Sequence, residues 1–171
     1  MAARREPGRL MRAALLTVST SKARGEGEDE SGARLAEFVA ELGGEVVARE
    51  VIADDQWRIV PRLRYFCDDL RVDLVLTSGG TGFSPDDVTP EATREAIERE
   101  APGIAEAMRA ASRPHTDNWM LSRGVAGTRG RTLIVNFPGN PRSIDQCGEA
   151  LATALPHALA LLRGERPAHK A

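Results

Sequence analysis

The stretch VDLVLTSGGTGFSPDDVTPEA (Val72–Ala92) decides the fold class, because three local signals follow one another in it. The apolar run VDLVL is typical of a buried β-strand. Gly79, Gly80 and Gly82 come next, and glycine adopts positive φ and lets the main chain approach a ligand closely. Thr89-Pro90-Glu91 then predicts a helix start, with threonine as the cap and proline at the first helical position. A buried strand that leads directly into a helix indicates an α/β domain.

The same alternation of strands and helices continues on both sides of this stretch. Apolar runs predict strands, and apolar residues at a spacing of three or four predict helices. The predicted strands are Ala13–Ser19, Glu45–Ile52, Asp73–Gly80, Trp119–Gly127 and Arg131–Gly139, the last two forming a hairpin. The predicted helices are Ser31–Leu42, ended by Gly43-Gly44, then Asp55–Leu70, Pro90–Arg99, Pro102–Ser112 and Pro141–Arg163, the last kinked or divided by Pro156. Together they predict a three-layer αβα fold with a mostly parallel central sheet and right-handed crossovers.

Length and composition indicate one domain without a nucleic-acid or membrane role. The chain has 171 residues, of which 42% are hydrophobic, and we expect a single domain over residues 13–163 with tails at 1–12 and 164–171. The formal net charge of −2 argues against a general nucleic-acid or membrane-surface binder. No apolar run approaches the ~20 residues that span a bilayer, and the run behind the basic N-terminus is too short for a signal peptide. We therefore expect a cytoplasmic protein.

The cysteines and histidines give no sign of a metal or redox site. Cys67 and Cys147 lie apart in predicted helices, which favours buried free thiols. The three histidines show no metal-ligand spacing.

Four loops are expected to meet at one edge of the sheet. In an open parallel sheet, ligands bind at the carboxyl ends of the strands, near a switch in strand order. The loop after the first strand, Asp54-Asp55, the glycine stretch and Pro138–Pro141 all follow predicted strands. The sequence therefore predicts one crevice lined by these four segments.

The glycine stretch has two open interpretations. Successive main-chain N–H groups could bind a phosphate, helped by the N-terminus of the following helix, or the glycines could serve only the geometry of a tight turn. The stretch is neither a P-loop nor a G-x-G-x-x-G motif. Asp86 and Asp87 would repel a phosphate unless a divalent cation such as Mg²⁺ lay between them. Alternatively, each acid solvates or caps a turn, and one of Asp54 and Asp55 is expected to cap the helix that follows.

Several motifs in one order resemble a known family. TSGGTGFSPDDVTPEATREAIEREAPGIAEAMR, MLSR, LIVNFPGNPRSI and DESG (Asp29–Gly32) resemble the Mog/MoaB-type molybdopterin adenylyltransferases, which include the G domains of plant Cnx and animal gephyrin proteins. The resemblance covers Ala13–Leu162 and implies a MoaB/Mog-like fold. It also implies transfer of AMP from ATP to molybdopterin with Mg²⁺, in a homotrimer or hexamer, with a downstream molybdenum insertase as a possible partner.

The resemblance also implies roles for individual residues. Asp54 and Asp87 match the family's two essential acids, and Asp87, with Asp54 or Asp86, would hold the metal. The implied nucleotide-binding residues are Ser78, Gly79, Gly80, Thr81 and Gly82. The implied pterin- or phosphate-binding residues are Ser112, Ser122, Arg123, Asn136, Pro138, Gly139 and Asn140.

One residue departs from the family pattern. Asp86 stands where the family usually has arginine, so an anion replaces a cation that could meet phosphate. Arg123 and Arg142 are candidates to supply that charge. The departure keeps open a non-catalytic pterin-binding or scaffold role, and another nucleotide enzyme of CinA type is a third hypothesis. The chain stops soon after its final helix, which disfavours the third.

Overall fold

The computed structural model describes residues 9–165, which form one six-stranded sheet with helices on both faces. The strands are β1 Met11–Val18, β2 Gly44–Ile52, β3 Leu74–Ser78, β4 Arg99–Glu100, β5 Ala126–Arg129 and β6 Thr132–Phe137. The helices are α1 Thr20–Ala23, α2 Glu30–Glu41, α3 Gln56–Asp68, α4 Thr89–Ala96, α5 Pro102–Ser112, α6 Pro141–Leu151 and α7 Leu155–Arg163, with a 3₁₀ helix at Asp117–Leu121.

The sheet has the order β2-β1-β3-β6-β5-β4. Strands β2, β1, β3 and β6 are parallel, whereas β5 runs antiparallel to β6 and β4 antiparallel to β5. The chain leaves β1 toward β2 on one side and later adds β3 on the other, so the order reverses at β1. Loops after β1 and β3 therefore lie at the switch point where ligands bind in such sheets.

Two apolar layers cover the sheet and confirm the predicted αβα architecture. Alternate β-strand residues point to opposite faces, as Leu15 and Leu16 do in β1. On one face, Leu35 of α2 and Ile144 of α6 pack with Leu15. On the other face, Leu63 and Phe66 of α3 pack with Leu16, and α4 contributes to the same cluster. All of these side chains are fully buried.

The structure corrects two predicted boundaries and confirms a third feature. The helix predicted to reach Arg99 ends at Ala96, and Arg99–Glu100 instead pairs with β5. The predicted hairpin is present, but its first strand begins at Ala126 and the preceding Trp119–Leu121 lies in the 3₁₀ helix. The predicted division of the last helix is confirmed: residues 152–154 separate α6 from α7, and Pro156 lies in the first turn of α7, where proline is tolerated.

Other local predictions can be compared with the described residues. The loop after β1 contains the unpredicted helix α1, and β1 begins at Met11, inside the predicted tail. The rest of the predicted tails, residues 1–8 and 166–171, lies outside the described residues. Gly43 ends α2 with φ of 73°, and Cys67 and Cys147 are buried free thiols. No helix among residues 9–165 is long and apolar enough to cross a membrane.

Candidate functional site

The four predicted loops do meet at the carboxyl edge of the sheet. Thr20, in α1, donates its main-chain N–H and its hydroxyl to Asp54 Oδ2, at 2.8 and 2.9 Å. Ser31 donates its hydroxyl to the Gly139 carbonyl at 2.8 Å. A Cβ added to Gly139 would lie 3.4 Å from Gly79 Cα. Segments after β1, β2, β3 and β6 are therefore joined in one crevice.

The glycine loop, Ser78–Phe83, uses its carbonyl groups and leaves the N–H groups of residues 80–83 open, whereas the Gly79 N–H is donated to the Phe137 carbonyl at 3.3 Å. Thr89 donates its hydroxyl to the Gly79 carbonyl at 2.9 Å and its N–H to the Gly80 carbonyl at 3.1 Å. Arg123 donates its N–H to the Thr81 carbonyl at 2.8 Å and its Nε to the Gly82 carbonyl at 2.7 Å. No hydrogen bond within residues 9–165 uses the N–H groups of residues 80–83. Consecutive unpaired N–H groups of this kind form an anion-binding site.

Glycine is required at two positions of this loop. Gly79 and Gly80 have φ of 88° and 66°, which side chains rarely adopt. A Cβ at Gly79 would lie 2.3 Å from the Val18 carbonyl, and one at Gly80 would lie 2.3 Å from Thr89 Oγ1. The loop therefore packs tightly on the end of β1 and on the start of α4.

The helix start after the loop differs from its prediction. Thr89 is the first residue of α4 and does not cap it, and Val88 in the cap position makes no side-chain cap bond. The Thr89 hydroxyl instead holds the Gly79 carbonyl. The threonine that we expected to cap the helix thus shapes the glycine loop.

The acidic residues take different positions in the crevice. Asp54 Oδ1 would lie 3.3 Å from a Cβ at Gly80, and Asp87 Oδ2 accepts the Ser84 N–H at 3.0 Å. Asp86 is exposed and has no hydrogen bond or ion pair with the described residues. Asp55 caps α3 through the Trp57 N–H, which confirms the expected cap. Asp54 and Asp87 are thus the acids next to the glycine loop.

The acids fit a magnesium ion only in part. Among residues 9–165, no group of three or more His, Cys, Asp or Glu side chains lies close enough to hold a metal. The predicted set of Asp54, Asp86 and Asp87 therefore does not form a protein-only metal site. Asp54 and Asp87 each leave Oδ1 without a hydrogen bond from the described residues. One or two carboxylates completed by substrate phosphates are a usual arrangement for Mg²⁺.

A cavity of about 390 Å³ lies beside the glycine loop, between α5, the 3₁₀ helix and α6. It brings together five of the residues that the resemblance assigned to pterin or phosphate binding: Ser112, Ser122, Asn136, Pro138 and Asn140. Arg123 and Gly139 were assigned to the same function but do not line it. Gly139 lies instead against Gly79.

The cavity has a positive lining that the sequence predicted only in part. Arg142, a candidate cation from the sequence, lines it together with Arg109, and none of the described residues that line it is acidic. Trp119 is the largest aromatic side chain in the lining, and the Arg113 guanidinium lies 5.7 Å from its ring centroid. No local pattern marks Arg109 and Trp119, because separate elements bring them to the cavity. The lining suits a planar, anionic ligand.

Two predicted binding residues are already engaged within the protein. The Asn136 amide donates to Thr77 Oγ1 and Thr93 Oγ1, at 3.0 and 2.9 Å, and its oxygen accepts the Val125 N–H at 3.2 Å. Ser78 is buried under the loop, and its hydroxyl lies 3.4 Å from Thr17 Oγ1. Asn136 thus joins β6 to β3 and α4 while lining the cavity, and Ser78 supports the loop from below.

Cys147 lines the cavity but is poorly suited to act as a nucleophile. Burial raises the pKa of its thiol, against the opposing effect of a hydrogen bond with Ser112. A thiolate is the reactive form of cysteine, so a raised pKa makes the side chain less reactive.

The fold and the site define a class of protein, an α/β domain with a loop of unpaired main-chain N–H groups beside a cavity lined by arginine. A family model described as a probable molybdopterin binding domain matches residues 14–157. The chain belongs to this family, the Mog/MoaB family of molybdenum cofactor biosynthesis. This confirms the family resemblance that the motifs indicated. At the level of the family, it also confirms the predicted enzyme class, a molybdopterin adenylyltransferase.

Individual relatives agree with this assignment. The chain is 38% identical over 152 residues to a molybdopterin adenylyltransferase of Helicobacter pylori, covering 88% of this chain and 86% of the relative. It is 36% identical to the molybdenum cofactor synthesis protein cinnamon of Drosophila melanogaster, covering 86% of this chain and 25% of that protein. The crystal structure of the molybdopterin biosynthesis enzyme MoaB from Thermus thermophilus matches with a TM-score of 0.86 and 46% identity, covering 91% of this chain and 98% of that one.

Proposed function

We propose that the protein transfers AMP from ATP to the terminal phosphate of molybdopterin, giving adenylylated molybdopterin and pyrophosphate. The observation that carries the proposal is the run of unpaired N–H groups at residues 80–83 next to a cavity with a cationic lining. The first feature suits a triphosphate and the second a phosphorylated heterocycle. Their proximity suits a reaction that joins two phosphates.

Positioning and charge neutralisation supply the catalysis in this proposal. The N–H groups of residues 80–83 bind the triphosphate. Arg109 and Arg142 bind the pterin phosphate. An oxygen of the pterin phosphate attacks the α-phosphorus of ATP, and the bond from that phosphorus to the bridging oxygen breaks. The electron pair leaves with pyrophosphate, so no protein nucleophile is needed.

Asp54 and Asp87 would hold a magnesium ion through the oxygens that the protein leaves open. Bound with the nucleotide, the ion would neutralise charge on the phosphates. Asp54 is oriented by Thr20 and Asp87 by the Ser84 N–H, so both carboxylates are placed before a ligand binds.

Incubation of the protein with molybdopterin, ATP and Mg²⁺ tests the proposal. We expect adenylylated molybdopterin and an equal amount of pyrophosphate, separated by chromatography. Binding of molybdopterin without conversion would instead indicate a non-catalytic pterin-binding protein, the alternative that Asp86 keeps open because an anion there replaces a cation.

The assembly and location of the protein remain predictions. We propose a homotrimer or hexamer in the cytoplasm that passes its product to a molybdenum insertase. The Drosophila relative supports the transfer of product to a second activity, because the region that matches this chain is only 25% of that longer cofactor-synthesis protein.

A further inference from the structure

Arg123 connects the glycine loop to the cavity. Its neighbours Ser122 and Gly124 both line the cavity, and Arg109 holds their carbonyls at 3.4 and 3.2 Å. The Arg123 side chain reaches the loop instead, where Nε donates to the Gly82 carbonyl and Nη2 to the Asp87 carbonyl, at 2.7 and 2.8 Å. Nη1 pairs with Glu91 in the first turn of α4.

We propose that the Arg123 side chain, held by Glu91, is a positioning group that aims the Phe83 N–H at the ligand. The inference rests on the proposed function, because this N–H group is one of those assigned to the triphosphate.

Peptide geometry explains how a bond to a carbonyl aims an N–H group. In a planar trans peptide, the C=O of one residue and the N–H of the next point in opposite directions. The main-chain N–H of Arg123 holds the Thr81 carbonyl and its side chain holds the Gly82 carbonyl, and these belong to the same peptide units as the Gly82 and Phe83 N–H groups. Thr89 does the same for the Gly80 and Thr81 N–H groups by holding the Gly79 and Gly80 carbonyls. Arg123 therefore orients the N–H groups of Gly82 and Phe83, and Thr89 orients those of Gly80 and Thr81.

Glu91 keeps Arg123 in this role rather than in contact with phosphate. Burial of Glu91 opposes its ionisation, but the hydrogen bond and the charge of Arg123 outweigh burial, and the pKa of Glu91 is lowered. The pair therefore stays ionised at neutral pH, and most of the guanidinium donors already have acceptors. Arg123 is thus not the cation that replaces the family's arginine at position 86.

The test uses Arg123→Lys, which keeps the charge but cannot reach several acceptors at once. Arg129→Lys is a matched control, because Arg129 also joins a carboxylate, Asp68, to a carbonyl, that of Ala96, and neither partner belongs to the crevice. Glu91→Gln is a milder second variant that keeps a hydrogen-bond acceptor. Residual dipolar couplings of the N–H bonds of residues 80–83 are measured without ligand, and ATP affinity is measured by calorimetry.

We expect Arg123→Lys to change the coupling of Phe83 more than those of Gly80, Thr81 and Gly82, because the main-chain N–H of residue 123 still holds the Thr81 carbonyl. We expect its ATP dissociation constant to rise about tenfold or more, that of Glu91→Gln to rise less, and that of Arg129→Lys to stay within about twofold. An unchanged coupling at Phe83, or equal changes at residues 80–83, would overturn the inference. If the wild type binds no ATP but the coupling still changes selectively in Arg123→Lys, the inference about Arg123 stands. Only the proposed function is then rejected.

Discussion

Asp87 is the side chain on which the proposed reaction depends most directly. It lies between the glycine loop and α4, where its Oδ2 accepts the Ser84 N–H and a Cβ at Gly82 would lie 2.8 Å from it. Its Oδ1 accepts no hydrogen bond from the described residues, so in the proposed reaction this oxygen is left to meet a cation bound with the nucleotide.

We expect Asp87→Asn to lower turnover about 100-fold, as loss of one major electrostatic stabiliser does in other enzymes. The shape of the loop should be kept, because an amide oxygen can still accept the Ser84 N–H. The rate of AMP transfer and the affinity for molybdopterin are measured separately. Turnover close to that of the wild type would remove Asp87 from the mechanism, and equal loss of molybdopterin binding would show a general structural effect.

Asp86 differs from Asp87 because it is exposed and without a partner among the described residues. Asp86→Arg replaces an anion with a cation next to a site for phosphates. We expect ATP to bind a few-fold more tightly at low salt, about threefold, with the gain shrinking as salt screens the charge. Calorimetry at two salt concentrations measures this effect. A loss of turnover would show instead that Asp86 takes part in holding the metal.

Trp119 offers a direct report of ligand binding in the cavity. The chain has two tryptophans, and Trp57 is 88% exposed at the start of α3. In a Trp57→Phe background, we expect molybdopterin to quench Trp119 fluorescence and ATP alone to leave it nearly unchanged. Trp119→Ala should weaken molybdopterin binding about fivefold through lost stacking. Quenching by ATP alone would place the nucleotide in the cavity and contradict the proposed arrangement.

At the level of elements, the junction between β3 and α4 determines the shape of the site. The loop is held by contacts on both sides, with the end of β1 beneath Gly79 and Thr89 of α4 beside Gly80. Thr89 and Arg123 hold its carbonyl groups, so the N–H groups of residues 80–83 in the same peptide units point away from them. The candidate anion site is thus a property of the junction and of the elements packed around it.

Gly79→Ala should destabilise the protein by about 2 kcal/mol or more and abolish ATP binding. The added Cβ would lie 2.3 Å from the Val18 carbonyl, at a φ of 88° that alanine rarely adopts. Thermal unfolding and calorimetry measure the two effects. Gly103→Ala is the control: a Cβ there meets nothing within 4 Å, and in α5 it should stabilise by about 0.5–1 kcal/mol. Wild-type stability of Gly79→Ala would contradict the close packing of the loop.

At the scale of the whole molecule, the two ends of the described chain are joined at the start of β3. Asp73 is 1% exposed and accepts the Arg12 N–H at 2.8 Å. It pairs with Arg163 at 3.1 Å, and Arg9 lies 3.7 Å away. A single buried carboxylate therefore ties β1 and the end of α7 to the central strand, at the edge opposite the crevice.

Asp73→Ala should destabilise the protein by about 3–5 kcal/mol, because it leaves a mostly buried arginine without its carboxylate. Denaturant unfolding measures the loss. Asp68→Ala is the comparison: Asp68 is 48% exposed in its pair with Arg129 and should cost about 1 kcal/mol or less. Equal losses for both variants would show that burial does not govern the strength of these pairs.

The sequence by itself determined the layers, the sheet class and the edge where the site lies. Alternating strands and helices, glycines at a strand end and acids after two strands are local patterns, and each depends on residues close together in the chain. They correctly predicted a parallel αβα domain and four loops in one crevice. The local errors, at Arg99–Glu100 and Trp119–Leu121, fall where pairing with a distant strand or packing beside the cavity overrides the local pattern.

Only the tertiary structure decided which atoms face the ligand. Thr89 shapes the loop instead of capping α4, Arg123 pairs with Glu91 instead of lining the cavity, and Asn136 has its hydrogen bonds within the protein. The cavity lining that Arg109 shares with Arg142 also arises only on folding. The physical reason is that these contacts join residues far apart in the chain, and their geometry depends on how whole elements pack.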